Sequence, residues 1–184
     1  MGRYTVSETD LKTDKSETRV WMAPLAGGEA LPMTAKGSSA GTPRWSPDGK
    51  YLTFLATRNE GKTQVWALNR LGGEAQQLTT IKQGVNGYAW SPDGKRLLLP
   101  IQDPHPDAPE KEDKKKPEPW VIDRLQFKRD NAGYLNDRRT HLYVYTPGDT
   151  AAFQITSGPY DDNAPTWSPD GRRIASAGGP TGAS

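Results

Sequence analysis

The chain has 184 residues, with 24 Lys and Arg set against 22 Asp and Glu for a formal net charge of +2. Charges so evenly mixed build no extended single-sign field, which argues against nucleic acid as a partner, and no apolar run approaches the length of a membrane span. The absence of cysteine excludes disulfides, thiolate metal sites and cysteine nucleophiles.

Taken from the start, residues 1–19 lack the apolar core of a secretory leader. Residues 4–6 read as a strand, Arg19, Val20 and Trp21 as part of another, and Gly27-Gly28-Glu29 as a turn. At Trp45 begins the pentapeptide Trp-Ser-Pro-Asp-Gly, which returns at Trp90 and Trp167. In each copy Pro presets φ, the aspartate (Asp48, Asp93, Asp170) can bond backbone amides two residues on, and the glycine (Gly49, Gly94, Gly171) accepts positive φ. These are tight hairpin turns. The segments after the first two turns, residues 51–55 and 97–99, are rich in strand formers and apolar on both faces, as befits strands buried in mid-sheet. A polar turn, a strand over residues 64–68, a second turn at Gly72-Gly73-Glu74 and a short last strand ending at Thr79 complete four strands per unit.

The spacing is regular. Trp45 to Trp90 is 45 residues and Trp90 to Trp167 is 77; Val20, Val65 and Leu142 keep the same two intervals, as do Thr34, Thr79 and Thr156. The longer interval exceeds the shorter by 32, so the last repeat carries an insert. Four antiparallel strands per unit, repeated, predict an all-β chain built as a β-propeller whose blades bury their faces against one another. The repeated tryptophans Trp45, Trp90 and Trp167 are then packing between blades. The expected division is a partial blade over 1–34, a blade over 35–79, a blade over 80–156 with the insert at about 102–139, and a partial blade over 157–184. Without the insert this amounts to about 3.4 blades, below the roughly four needed for closure. The expected propeller is therefore incomplete, with both ends of the chain falling in mid-blade.

The insert begins with five prolines and a mixed-charge run over 110–116, which read as a flexible arm. Residues 121–128 alternate apolar and polar, turn at Asp130-Asn131-Ala132-Gly133 and run back through Tyr134 to the strand at Thr140. This is a β-hairpin extension. Arg124, Arg138, Arg139 and Tyr134 are its candidate contacts with a substrate or partner, since cationic and aromatic side chains together suit a peptide carboxylate or a neighbouring subunit.

Motifs that resemble catalytic ones sit in the wrong context. Gly37-Ser38-Ser39-Ala40-Gly41 has the spacing of a nucleophile elbow, but lies in a loop between blades with no helix after it. Residues 56–63 resemble a relaxed phosphate-binding loop, yet Gln64, Val65 and Trp66 continue as a strand where a helix N-terminus is required. His141 shares its repeat position with Arg19 and Gln64 and reads as a structural strand histidine; Asp161 and Asp162 read as turn formers in the loop before Trp167. No catalytic residue, metal site or cofactor is indicated.

Together these features resemble the N-terminal propeller of the prolyl oligopeptidase family of serine peptidases, in its acylaminoacyl-peptidase-like branch. The resemblance rests on the three Trp-Ser-Pro-Asp-Gly units, the Gly-Gly-Glu turns, and above all Val121-Ile122-Asp123-Arg124-Leu125, Gly133-Tyr134-Leu135 and Thr140-His141-Leu142-Tyr143-Val144. It implies a cytoplasmic, non-catalytic domain that caps a C-terminal α/β-hydrolase domain, restricts entry to short or N-acylated peptides, and belongs to a protein able to form homo-oligomers. The run from Gly178 to Ser184 departs from the next strand expected. A Tol-type propeller that binds peptides or proteins without chemistry is the alternative, and the coding sequence downstream discriminates the two.

Overall fold

The computed structural model describes residues 2–10, 15–58, 61–104, 128–129, 133–134 and 138–180, all of them in strands, turns or irregular segments with no helix. The strands are β1 (Gly2–Asp10), β2 (Lys15–Ala23), β3 (Leu31–Pro32), β4 (Ala40–Trp45), β5 (Tyr51–Ala56), β6 (Gln64–Asn69), β7 (Gln76–Gln77), β8 (Ala89–Trp90), β9 (Leu97–Gln102), β10 (Lys128–Arg129), β11 (Gly133–Tyr134), β12 (Thr140–Tyr145), β13 (Phe153–Gln154), β14 (Tyr160–Trp167) and β15 (Ile174–Pro180). They form successive antiparallel sheets: β1-β2-β3, then β4-β5-β6-β7, then β8-β9-β12-β13, then β14-β15, with β10-β11 as a separate pair in the insert. This is the β-propeller architecture expected of the repeat.

Faces apolar on both sides are explained by where the cores lie. Leu52, Phe54 and Ala56 of β5 pack with Val20 of β2, whereas Leu55 of β5 and Val65 of β6 pack with Leu97, Leu99 and Ile101 of β9. β5 and, through Val65 against Trp66 and Leu68, β6 thus each serve two interfaces. The tryptophans are half-buried, and two of them tie one sheet to the one before it: Trp90 Nε1 donates to Thr53 Oγ1 at 3.1 Å, and Trp167 Nε1 to Ala89 O at 3.3 Å.

The hairpin turns are built alike. Ser46 Oγ donates to Asp48 Oδ1 at 2.6 Å and accepts from Tyr51 N at 3.0 Å, while Lys50 N donates to Asp48 Oδ1 at 3.1 Å. Ser168, Asp170, Arg172 and Arg173 repeat these bonds, as do Ser91, Asp93, Lys95 and Arg96. The serine hydroxyl first, and the backbone amide next, hold all three aspartates below the usual carboxylate range. Glycine is required at Gly94 and Gly171 by φ of +70° and +67°; a Cβ there would only come into ordinary contact with Pro47 and Pro92 of the preceding turn.

The 14-residue landmark pairs are hydrogen-bonded to each other. Val20 N, Val65 N and Leu142 N donate to Thr34, Thr79 and Thr156 Oγ1 at 3.0, 2.9 and 2.8 Å. Their carbonyls accept from Met33, Leu78 and Ile155 N, each at 2.8 Å. Such a threonine extends the outermost pairing by one rung beyond its two-residue strand.

One expectation is corrected. Asp161 and Asp162 are not turn formers; they lie within β14, paired with Gly179 and Gly178 of β15. Residues 178–180 continue β15, and a Cβ on Gly178 would meet Asp162 Oδ1 at 3.1 Å, so glycine leaves room for that carboxylate; the rest of the run to Ser184 lies outside the described residues.

Candidate functional site at the root of the insert

The insert leaves the sheet after β9 and returns at β12, and its two ends are clamped. Asp103 N donates to Arg139 O at 2.7 Å, Arg139 N lies 3.3 Å from Asp103 Oδ2, and Arg138 Nε donates to Asp103 O at 2.8 Å. The next sheet joins in. Asp161 of β14 accepts from Thr140 N at 2.8 Å and has Oδ2 3.7 Å from Arg139 Nη1. The guanidinium side chain is 17% exposed and the carboxylate 35%, so this pair is shielded more than an ordinary surface pair.

His141 sits beneath this clamp, 5% exposed. Its Nε2 is 3.5 Å from Asp103 Oδ2 and its Nδ1 is 3.7 Å from Asp162 Oδ2, on opposite edges of the ring. Among the described residues Nδ1 has no hydrogen-bond partner. Ser176 Oγ donates to Asp162 Oδ1 at 3.2 Å, and therefore faces the carboxylate and not the imidazole. Burial, and then the negative charge of Asp103, push the Tyr143 phenol above its usual range. Carboxylates flanking the ring from both edges cannot converge on one ion, and among the described residues no group of three His, Asp or Glu has the geometry of a metal site. The arrangement joins three chain segments electrostatically.

Of the residues singled out for substrate or partner contact, Arg138 and Arg139 are therefore part of the clamp. Tyr134 lies on β11 opposite Lys128, in the hairpin pairing expected around residues 130–133. Arg124 lies outside the described residues, as do the Pro-rich arm beyond Pro104 and the strand expected over 121–127. Asp103, Asp161, Asp162 and His141 were the members that reading along the chain did not assemble. The available signal was His141 itself, whose repeat position holds Arg19 and Gln64, two long side chains that reach back across their own sheets.

The elbow-like motif is likewise structural in its surroundings: Ser39 Oγ accepts from Thr18 N at 3.1 Å, and β4 begins directly after it.

No protein-family model matches the chain. It is 30% identical over 172 residues to the uncharacterized peptidase YuxL of Bacillus subtilis (strain 168), covering 92% of this chain and 26% of that protein. Among solved structures, acylaminoacyl peptidase of Pyrococcus horikoshii superposes with a TM-score of 0.64 at 19% identity over 87% of this chain and 24% of its own. A protein assigned as TolB from Agrobacterium tumefaciens gives a TM-score of 0.58 at 20% identity, over 97% of this chain and 50% of its own. The chain is a β-propeller segment, and its structural neighbours are propellers of peptidases and of TolB-like proteins. The relative in Bacillus subtilis is a peptidase by name, and the likeness to the solved structures is one of fold. The chain spans about a quarter of the length of these relatives.

Proposed function

We propose that this chain is the non-catalytic, access-controlling propeller of an acylaminoacyl-peptidase-like serine oligopeptidase, working with a C-terminal α/β-hydrolase domain on short or N-acylated peptides. The observation that carries this reading is the clamp of Asp103, Arg139 and Asp161, which ties both ends of the insert to one sheet and to the next. An insert held this way can present a fixed surface to a neighbouring domain or subunit, whereas an untied excursion could not. The similarity to a peptidase of Bacillus subtilis supports the same reading.

The test is made on the complete open reading frame that contains this chain. Hydrolysis of an acetylated tripeptide anilide and of a 20-residue peptide is compared before and after Arg139→Gln with Asp161→Asn. Loosening the insert should reduce discrimination between short and long substrates by roughly tenfold while the folded state persists. Unchanged discrimination in a folded variant refutes the access role. An open reading frame with no hydrolase segment selects instead the Tol-type binding module, which the likeness over 97% of the chain to TolB supports.

A further inference from the structure

The two motifs with catalytic-like spacing meet in space. Gly37 and Ser38 of the elbow-like loop, and Thr57 and Arg58 of the phosphate-loop-like segment, line one open groove of about 410 Å³ together with Ala35. We propose that this groove is a recognition site for a single carboxylate, with Arg58 as its cation and Ser38 as its second donor.

Arg58 lies over aromatic rings, as Arg19, Arg44 and Arg96 also do, but differs from them in its hydrogen bonding. Its guanidinium lies 4.5 Å from the centre of the Trp66 ring and 5.7 Å from that of Phe54, and the Trp66 indole is itself fixed by donating to Ala56 O at 3.2 Å. Stacking on aromatic faces stabilises the cation while leaving its hydrogen-bonding edge unspent. Arg19, Arg44, Arg96, Arg138 and Arg139, by contrast, all direct donors to carbonyls or carboxylates. Among the described residues Arg58 Nε is buried with no hydrogen-bond partner, and Ser38 Oγ is buried in the same state. Two buried donors left unsatisfied on one groove are costly to the fold alone. A ligand oxygen anion that accepts from both removes that cost, and a guanidinium fork matches a carboxylate in particular.

The charge of the site favours a monoanion. Among the described residues it holds one guanidinium, and Glu17 Oε1 accepts from Gly37 N at 3.0 Å, placing a negative charge at the wall. A phosphate dianion would meet one cation and that repulsion together. Nor is there a helix N-terminus to help, because β6 comes after the loop. The site is distinct from the insert root and does not depend on a hydrolase domain. It also marks a divergence of the repeat, since Asp103 occupies in the next sheet the place that Arg58 occupies here, 45 residues earlier.

The experiment tracks the Arg58 Nε–H resonance of the ¹⁵N-labelled chain during titration with acetyl-Gly-Gly carboxylate, acetyl-Gly-Gly-amide, acetyl-Asp-N-methylamide and inorganic phosphate at constant ionic strength. The peptide acid should shift this resonance and the amide should not. Arg58→Gln should weaken binding of the acid by at least about tenfold and Ser38→Ala by about threefold, each judged on the remaining groove resonances. Ser38→Ala keeps the test decisive should Arg58→Gln not fold. Tighter binding of acetyl-Asp-N-methylamide than of the peptide acid retains the carboxylate site and assigns it to a side chain in place of a peptide terminus. Equal binding of acid and amide, tighter binding of phosphate, or no response to any probe overturns the proposal.

Discussion

The sheet β4-β5-β6-β7 and the sheet β8-β9-β12-β13 are built on one repeat but closed in different ways at the same point. In the first, Gln64 accepts from Thr79 Oγ1 at 2.7 Å and from Ile81 N at 3.0 Å, and its amide donates to Ile81 O at 2.7 Å. Both polar ends of that side chain are used, with no charge involved. In the second, the matching residue is His141, which reaches no such crossover; it lies between Asp103 at the root of the insert and Asp162 of the next sheet. A neutral, self-contained closure has been exchanged for a charged one that depends on two other segments. The repeat thus constrains strands and turns tightly, while the residue opening its third strand is free to take on whatever that blade must hold.

The scaffold shared by the two sheets should respond alike. Leu52 and Leu97 are repeat equivalents, both fully buried, so Leu52→Ala and Leu97→Ala should each cost about 2–5 kcal/mol in urea unfolding. Values differing by more than about half of that range would break the equivalence on which the comparison rests.

The outer rung should separate them. Thr79 is fully buried whereas Thr156 is half-buried. Thr79→Val strands the Val65 amide and the Gln64 carbonyl together and should cost about 1–3 kcal/mol; Thr156→Val, with water able to reach the site, should cost less than about 1 kcal/mol. Equal losses would show that the neutral network adds nothing.

Charge should matter in the second sheet only. Arg139→Gln removes the ion pair to Asp161 but leaves the carboxylate its bond from Thr140 N, and about 1–2 kcal/mol is expected after allowance for solvent screening. The effect should shrink in 1 M salt, whereas Gln64→Ala should be equally destabilising at all salt concentrations. A salt-independent Arg139→Gln would argue that the clamp works by packing of the guanidinium stem.

The smallest effect is common to both sheets and to the β14-β15 sheet that follows them. Asp48, Asp93 and Asp170 are held below the ordinary carboxylate range by their serines and turn amides. A group so lowered adds stability that is present above the ordinary aspartate value and is lost as pH falls through that value toward the folded one. Carboxyl titration by NMR should show Ser168→Ala raising Asp170 toward the ordinary range, and Ser91→Ala doing the same for Asp93. A turn that failed to respond would not be held by its hydroxyl.

The strands, their order and their turns were legible along the chain because each depends on neighbours in sequence. A Ser-Pro-Asp-Gly turn satisfies its own amides within five residues, and the Val20–Thr34, Val65–Thr79 and Leu142–Thr156 bonds span only 14. Spacing alone therefore determined the all-β repeat and placed the insert. The clamp and the groove were decided by the tertiary structure. His141 meets Asp103 across the whole insert and Asp162 from a different sheet, and Arg58 and Ser38 line one groove because β4 and β5 pair with Ala40 opposite Ala56, which brings the segments beyond those residues to the same edge. A pair of aspartates in β14 reads the same as a pair in a turn until strand pairing aims the carboxylates, since charge carries no periodicity of its own. What a polar side chain does depends on which segments burial brings beside it, and no interval in the repeat encodes that.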